Sequence, residues 1–291
     1  MRMLRTMIVT GAAAALAAGA LTMTVATTAT TVASGRSAPT AYRAPSAHFL
    51  AQARVALLHY LRHNHPTMML APHSTLGTSV KAPKRIRTFN WSGYARTSSN
   101  PQAFSAVSAR WTQPRVRCGI EDQMSSTWVG LDGVATANVE QDGTTAWCYR
   151  GHATYFTWFE MFPNGSVTVG RSLKPGDKIT ASVTRSGHSY RLTVKDATHR
   201  AASFSRTKTC ALNTCTDESI EWIQERPAFA STGLIPLPDY RSWKATGLSG
   251  RSKGSTSTLE ITMIDSTNTY PLSTPSGLSK GAFTTTWHNS Y

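Results

Sequence analysis

The sequence predicts an all-β fold for the region after about residue 88, an antiparallel sandwich or barrel. Two observations carry this. Short runs with alternating or β-branched character follow one another at close spacing, punctuated by turn residues. No segment of that region shows a long, capped helical pattern, and no internal repeat of fixed period is visible.

The elements in order begin with a leader. The opening "MRMLRTMIVTGAAAALAAGALTMTVATTA" has two arginines, an Ala-rich apolar run and then small residues. That is the layout of a secretory signal peptide, expected over residues 1–30 and cleaved between about residues 25 and 35. Its Thr and Gly content makes it weakly apolar for a stable span. A secreted, extracellular protein is therefore expected, with no stable membrane association after signal removal.

Residues 31–87 form a distinct basic segment. "APSAHFLAQARVALLHYLRHNHP" has helical apolar spacing, so the leader is expected to be partly helical, and "APHSTLGTSVKAPKRIRTF" follows it. Residues 1–87 hold ten Arg or Lys and no Asp or Glu, whereas residues 88–291 hold twenty basic and fifteen acidic residues. The chain's +15 thus belongs largely to the leader, and a nucleic-acid function resting on net charge loses its support. The segment reads equally as an inhibitory propeptide suited to an acidic cleft or as a solvated linker or wall tether. Five of the nine histidines, His48, His59, His63, His65 and His73, lie in it and make its charge sensitive to acid.

The strand candidates are "AFSAVSARWTQP", "SSTWVGLDG", "HATYFTWFEMFP", "SVTVG", "DKITASVTRSGHSYRLTVKDAT", "SIEWIQERP" and "STLEITMID". Pro175-Gly176-Asp177 and Ser186-Gly187-His188 supply turns. Four cysteines, Cys118, Cys148, Cys210 and Cys215, favour disulfides in an exported chain. Three pairings are open, among them a short Cys210–Cys215 loop that leaves Cys118 with Cys148. With no CxxC or HExxH, no metal site is expected.

Three constellations are candidates for chemistry. Ser252 and Ser279 each sit in G-x-S-x-G, and Asp265 and His288 follow Ser252 in the chain order of a triad. A nucleophilic serine needs a strained strand-to-helix turn, so both matches read as surface turns. Carboxylates in aromatic-rich strands are a better candidate: Glu160, Glu221, Glu225, and Asp132 after Trp128. Along "ESIEWIQERP" Glu221, Ile223 and Glu225 share one face, while Trp222 points the other way as a packing anchor. Eight tryptophans are many for a mature chain of this size; core packing accounts for some, and a groove for extended peptide or sugar would account for others. Residue types alone thus leave a peptidase beside a carbohydrate-active sandwich, either a glycoside hydrolase or a lectin-like module.

Taken in order, "FNWSGYA", "FSAVSARWTQP", "SSTWVGLDG", "VEQDG", "YFTWFEMFP", "PGDKITASV" and "SIEWIQERP" resemble the successive blocks of the glutamic peptidases, the eqolisins. The resemblance covers roughly residues 88–227. It implies a peptidase domain over residues 88–291, a sandwich of two antiparallel sheets of the concanavalin-like or jelly-roll type. It also implies acid-acting endopeptidase activity on polypeptides with a Gln–Glu dyad and no cofactor, falling here on Gln141 and Glu221. Family cleft residues fall on Trp91, Trp128, Asp132, Trp158 and Glu160. Glu225, about 13 Å along the strand from Glu221, is assigned to substrate binding. Two acidic family positions correspond to Thr145 and Phe156. A monomer is expected, with the basic segment as its own intramolecular inhibitor.

The residue types suit the chemistry. An ionised Glu221 takes a proton from water and passes it to the leaving nitrogen. The Gln141 amide is a donor with nothing to titrate, so it can hold an oxyanion in acid. A base working in acid is expected to have no strongly raised pKa.

Overall fold

The computed structural model describes residues 83–210, 215–229 and 233–291. The expected signal peptide, the helical part of the leader and nearly all of the basic segment lie outside the described residues. The regular structure among the described residues is strand throughout, apart from a 3-10 turn at Arg200–Ala202. The strands are β1 (Lys84–Thr88), β2 (Trp91–Thr97), β3 (Phe104–Thr112), β4 (Gln123–Leu131), β5 (Val139–Tyr149) and β6 (His152–Phe162). Next come β7 (Val167–Gly170), β8 (Lys178–Ser186), β9 (Ser189–Asp196), β10 (Phe204–Thr209) and β11 (Ser219–Glu225). The chain finishes with β12 (Ala228–Phe229), β13 (Gly233–Leu234), β14 (Ser242–Ser252), β15 (Ser257–Ile264), β16 (Pro271–Pro275) and β17 (Phe283–Trp287).

Two layers result. The front sheet runs β15-β2-β11-β4-β5-β6-β7 and the back sheet β10-β9-β8-β3-β14. They are joined through β14, whose first half pairs with β17 and whose second half pairs with β3. The register breaks between Thr246 and Ser249, where Gly247 takes φ 58°, so one strand can serve both layers. Every ladder is antiparallel except that β1 runs parallel to β15.

Alternation decides what fills the space between the sheets. Ile179, Ala181 and Val183 of β8 and Tyr190, Leu192 and Val194 of β9 point inward, and Gly187 at φ 59° makes the tight turn between these strands. They meet Val129 and Leu131 of β4, Ala146 of β5 and Ile220 and Trp222 of β11. A second apolar cluster lies on the outer side of the front sheet and includes Trp91, Trp128, Val139, Phe156, Trp158 and Ile223. The front sheet is therefore apolar on both faces, which is why β4, β5 and β11 are buried almost throughout. Disulfides Cys118–Cys148 and Cys210–Cys215 tie the ends of β5 and β10 to neighbouring loops.

Candidate active site

The site is built on the outer face of the front sheet. On β11, Ile220, Trp222 and Gln224 turn inward. The Trp222 indole donates to the Ser108 carbonyl of the back sheet at 2.9 Å, and Thr127 donates to Gln224 Oε1 at 2.8 Å. Both inward partners pin the strand, so Glu221, Ile223 and Glu225 project outward from a fixed backbone.

Gln141 lies within β5, an eleven-residue strand. Two carboxylates, a glutamine and a glycine in "VEQDG" read as turn chemistry, and burial against both neighbouring strands overrides that preference. The register places Glu221 opposite Gly130, Gly130 opposite Gln141, and Gln141 opposite Glu160. One row across β11, β4, β5 and β6 thus reads Glu221–Gly130–Gln141–Glu160. Gly130 leaves the space between the glutamate and the glutamine open. A Cβ there would lie 2.9 Å from the Trp128 ring and 3.3 Å from Glu221 Oε2. The Gln141 amide donates to Glu160 Oε2 at 2.8 Å, which orients it.

Glu221, Gln141 and Glu160 are fully buried. Among the described residues, both Glu221 oxygens, Gln141 Oε1 and Glu160 Oε1 lack a well-formed hydrogen-bond partner. Buried polar atoms without partners are rare, and four in one row mark a place where protein–protein satisfaction has been forgone. Burial pushes the Glu221 carboxyl well up, with Asp132 and Glu140 adding to it; the Ser219 hydroxyl nearby only tempers the rise. Glu160 is raised by burial and by Glu225. Burial thus favours the protonated form of Glu221, unlike the unraised base expected, because among the described residues no cation and no strong donor faces it.

The other cleft candidates divide. Trp91 and Trp128 meet edge to face at 4.9 Å, and the Trp128 indole donates to Glu225 Oε2 at 2.9 Å. Burial raises Glu225 to about 8. Trp158 shares this face, opposite Gly143 and beside the Trp128 position. Thr145 and Phe156 fall in the Glu225 row, with Thr145 bonded to Ser126 at 2.7 Å, so this end of the groove is less acidic than the family pattern. Asp132 does not face the groove. At φ 66° it turns under the sheet and accepts from the Asp217 and Glu218 backbone N–H, Asn138 and Thr216. It holds the entry to β11 and reaches Glu221 only through its field.

Three residues escaped the sequence reading. Glu140, Asp217 and Tyr190 lie beside Asp132 between the sheets, with Arg185 ion-paired to Asp217 at 2.9 Å and Tyr190 donating to it at 3.0 Å. Burial and the neighbouring carboxylates raise Glu140 to about 9 and Asp217 to about 7. Alternation from Gln141 was the available signal, since it sends Glu140 to the inner face. The G-x-S-x-G matches carry no triad: Asp265 binds Thr267 and His288 binds Thr274.

The model of the Peptidase A4 family matches residues 89–287. Among solved structures, a scytalido-glutamic peptidase with a transition-state analogue inhibitor is 21% identical with TM-score 0.59, covering 72% of this chain and 100% of its own. SCP-B, a member of the eqolisin family in complex with the tripeptide Ala-Ile-His, is 20% identical with TM-score 0.53 over the same shares. At these identities the likeness establishes the shared sandwich. No curated protein matches the chain.

Proposed function

The chain belongs to the peptidase A4 family, the glutamic peptidases or eqolisins, and from that premise we propose that it is a secreted endopeptidase acting in acid through Gln141 and Glu221. The observation that carries the assignment of the pair is their register, on either side of Gly130 in one row.

A peptide carbonyl seated over Gly130 lies between the two side chains. Gln141, held by Glu160, directs an N–H at the developing oxyanion, and this donor keeps its strength at any pH. Glu221, once water and substrate enter and its burial is relieved, takes the proton of the attacking water and returns it to the departing nitrogen. The atoms balance: water adds across the C–N bond and Glu221 ends as it began. Glu225 and the Trp91–Trp128 pair form the groove wall along which an extended peptide runs.

The basic segment before the domain is the inhibitor in this reading. The groove floor is lined by Glu160, Glu221 and Glu225, which attract a basic segment when they are ionised. Opening to water lets these carboxylates ionise; acid keeps them neutral and charges the leader histidines, so recapture of the basic segment weakens and release is favoured in acid.

The test is cleavage of denatured protein near pH 3–4 by Glu221→Gln and Gln141→Glu, with circular dichroism as the fold control. Each should lose at least about 10²-fold in kcat. Full activity in Glu221→Gln would sink the assignment, and leader processing equally fast at neutral pH would sink the inhibitor.

A further inference from the structure

The outer face of the back sheet, on the opposite side of the sandwich from the groove, carries a charge pattern that peptide hydrolysis does not use. Its cations are Arg110 of β3, Lys178 of β8, Arg191 and Lys195 of β9, and Lys244 and Arg251 of β14. The ladders put them on one face. Lys195 is opposite Thr180, Thr180 opposite Arg110, and Arg110 opposite Thr246; Arg191, Thr184, Ala106 and Arg251 form a second row four residues along, beyond the row Thr193, Ser182, Ser108 and Ser249. Every other outward residue of β3 from Ala106, β8, β9, β10 and the Ser242–Arg251 part of β14 is serine or threonine, except Ala106 and Gly247. No carboxylate lies among them. The ion pairs of the described residues are elsewhere, at Arg85, Arg117, Arg185 and His199, so none of these six cations is neutralised.

Within this face is a groove of about 590 Å³ whose lining includes Arg110, Lys178, Lys244, Thr112, Thr180 and Thr246. Lys178 donates to Thr112 at 2.8 Å. Strand spacing keeps the three cations within about 10 Å of one another, comparable to a Debye length at physiological salt, so they act on a ligand as one field. Lys and Arg keep their charge in acid.

We propose that this groove binds an anionic polysaccharide, tethering the enzyme by the side opposite its active site. The chemistry selects this class. Unpaired guanidinium and ammonium groups match carboxylate or sulfate, and Arg110 offers a two-pronged fit. Rows of hydroxyls match the hydroxyls of a sugar chain. A single-stranded nucleic acid calls for exposed aromatic platforms; none of these outward positions is aromatic, and Trp111, which borders the groove, has its ring buried in the core between the sheets. A lipid surface calls for apolar side chains to insert, and the face offers none larger than Ala106.

The experiment measures binding of the full chain to polygalacturonate and dextran sulfate, with neutral dextran as control, between roughly 50 and 200 mM salt. The wild type should bind both anionic polymers and not dextran, more weakly as salt rises. The triple variant Arg110→Ser, Lys178→Ser, Lys244→Ser should bind at least about tenfold more weakly while cleaving soluble denatured protein unchanged. A triple variant away from the face, Arg85→Ser, Arg150→Ser, Lys280→Ser, removes the same net charge and should bind like wild type. Absence of binding, equal loss in both triple variants, or retained binding in the groove variant would each overturn the proposal. Tighter groove-dependent binding of a DNA duplex than of either polysaccharide would overturn the choice of ligand.

Discussion

Glu221 and Gln141 flank the same glycine: each is the cross-strand partner of Gly130, one from β11 and the other from β5. Two strand spacings, about 9–10 Å between backbones, separate them, enough for two long side chains to converge on a carbonyl without touching. Had either strand slipped by one residue, its member of the pair would face the core.

Gly130→Ala tests that spacing directly. The new methyl would press on the Trp128 ring at 2.9 Å and on Glu221 Oε2 at 3.3 Å. We expect a loss of about 1–3 kcal/mol in stability from overpacking, and roughly 10²-fold in kcat from displacement of the pair. Denaturant titration and steady-state kinetics separate the two effects. Unchanged kcat would mean that this gap is not where substrate sits.

Asp132→Asn preserves shape but turns an acceptor into a donor against the Asp217 and Glu218 N–H groups. It should cost about 1–3 kcal/mol and lower the melting temperature. Because Asp132 holds the entry to β11 and touches no substrate in our reading, KM of the folded fraction should change little. A large KM effect with an unchanged melt would place Asp132 in the cleft after all.

Trp222→Phe removes the bond to the Ser108 carbonyl between the two sheets. A loss of about 1–3 kcal/mol is expected, with activity per folded molecule retained near pH 3–4. A drop in kcat with undiminished stability would contradict the anchor role.

Stability should fall as pH rises from about 4.5 to 9. Burial, with help from neighbouring carboxylates, raises Asp217 to about 7 and Glu140 to about 9, and burial raises Glu225 to about 8. The sign follows from proton counts. Above the ordinary glutamate range the unfolded chain has lost these protons while the folded chain still binds them, so each step in pH favours unfolding until the folded pKa is passed. Thermal melts across this range check it. Glu140→Gln, which cannot ionise, should melt higher than wild type at pH 8; a lower melt would count against the burial argument.

Much was legible in one dimension. Alternation in "DKITASVTRSGHSYRLTVKDAT" gave the β8–β9 hairpin, and in "SIEWIQERP" it separated Trp222 from Glu221 and Glu225, because a strand's side chains have period two whatever they pack against. β5 was not legible as a strand. Its Glu140, Gln141, Asp142 and Gly143 lack β propensity, and only burial between β4 and β6 makes them extended.

By itself the sequence determined the all-β class, the order of the family blocks, and which residue types were available as donor, base and wall. Tertiary structure alone decided that Gly130 stands between Glu221 and Gln141, that Asp132 turns away to hold a loop, and that six cations share one uncompensated face. The physical reason is that cross-strand register and burial depend on strands far apart in the chain. A residue's local pattern says which side of its own strand it takes. Only the neighbouring strands say what it meets there.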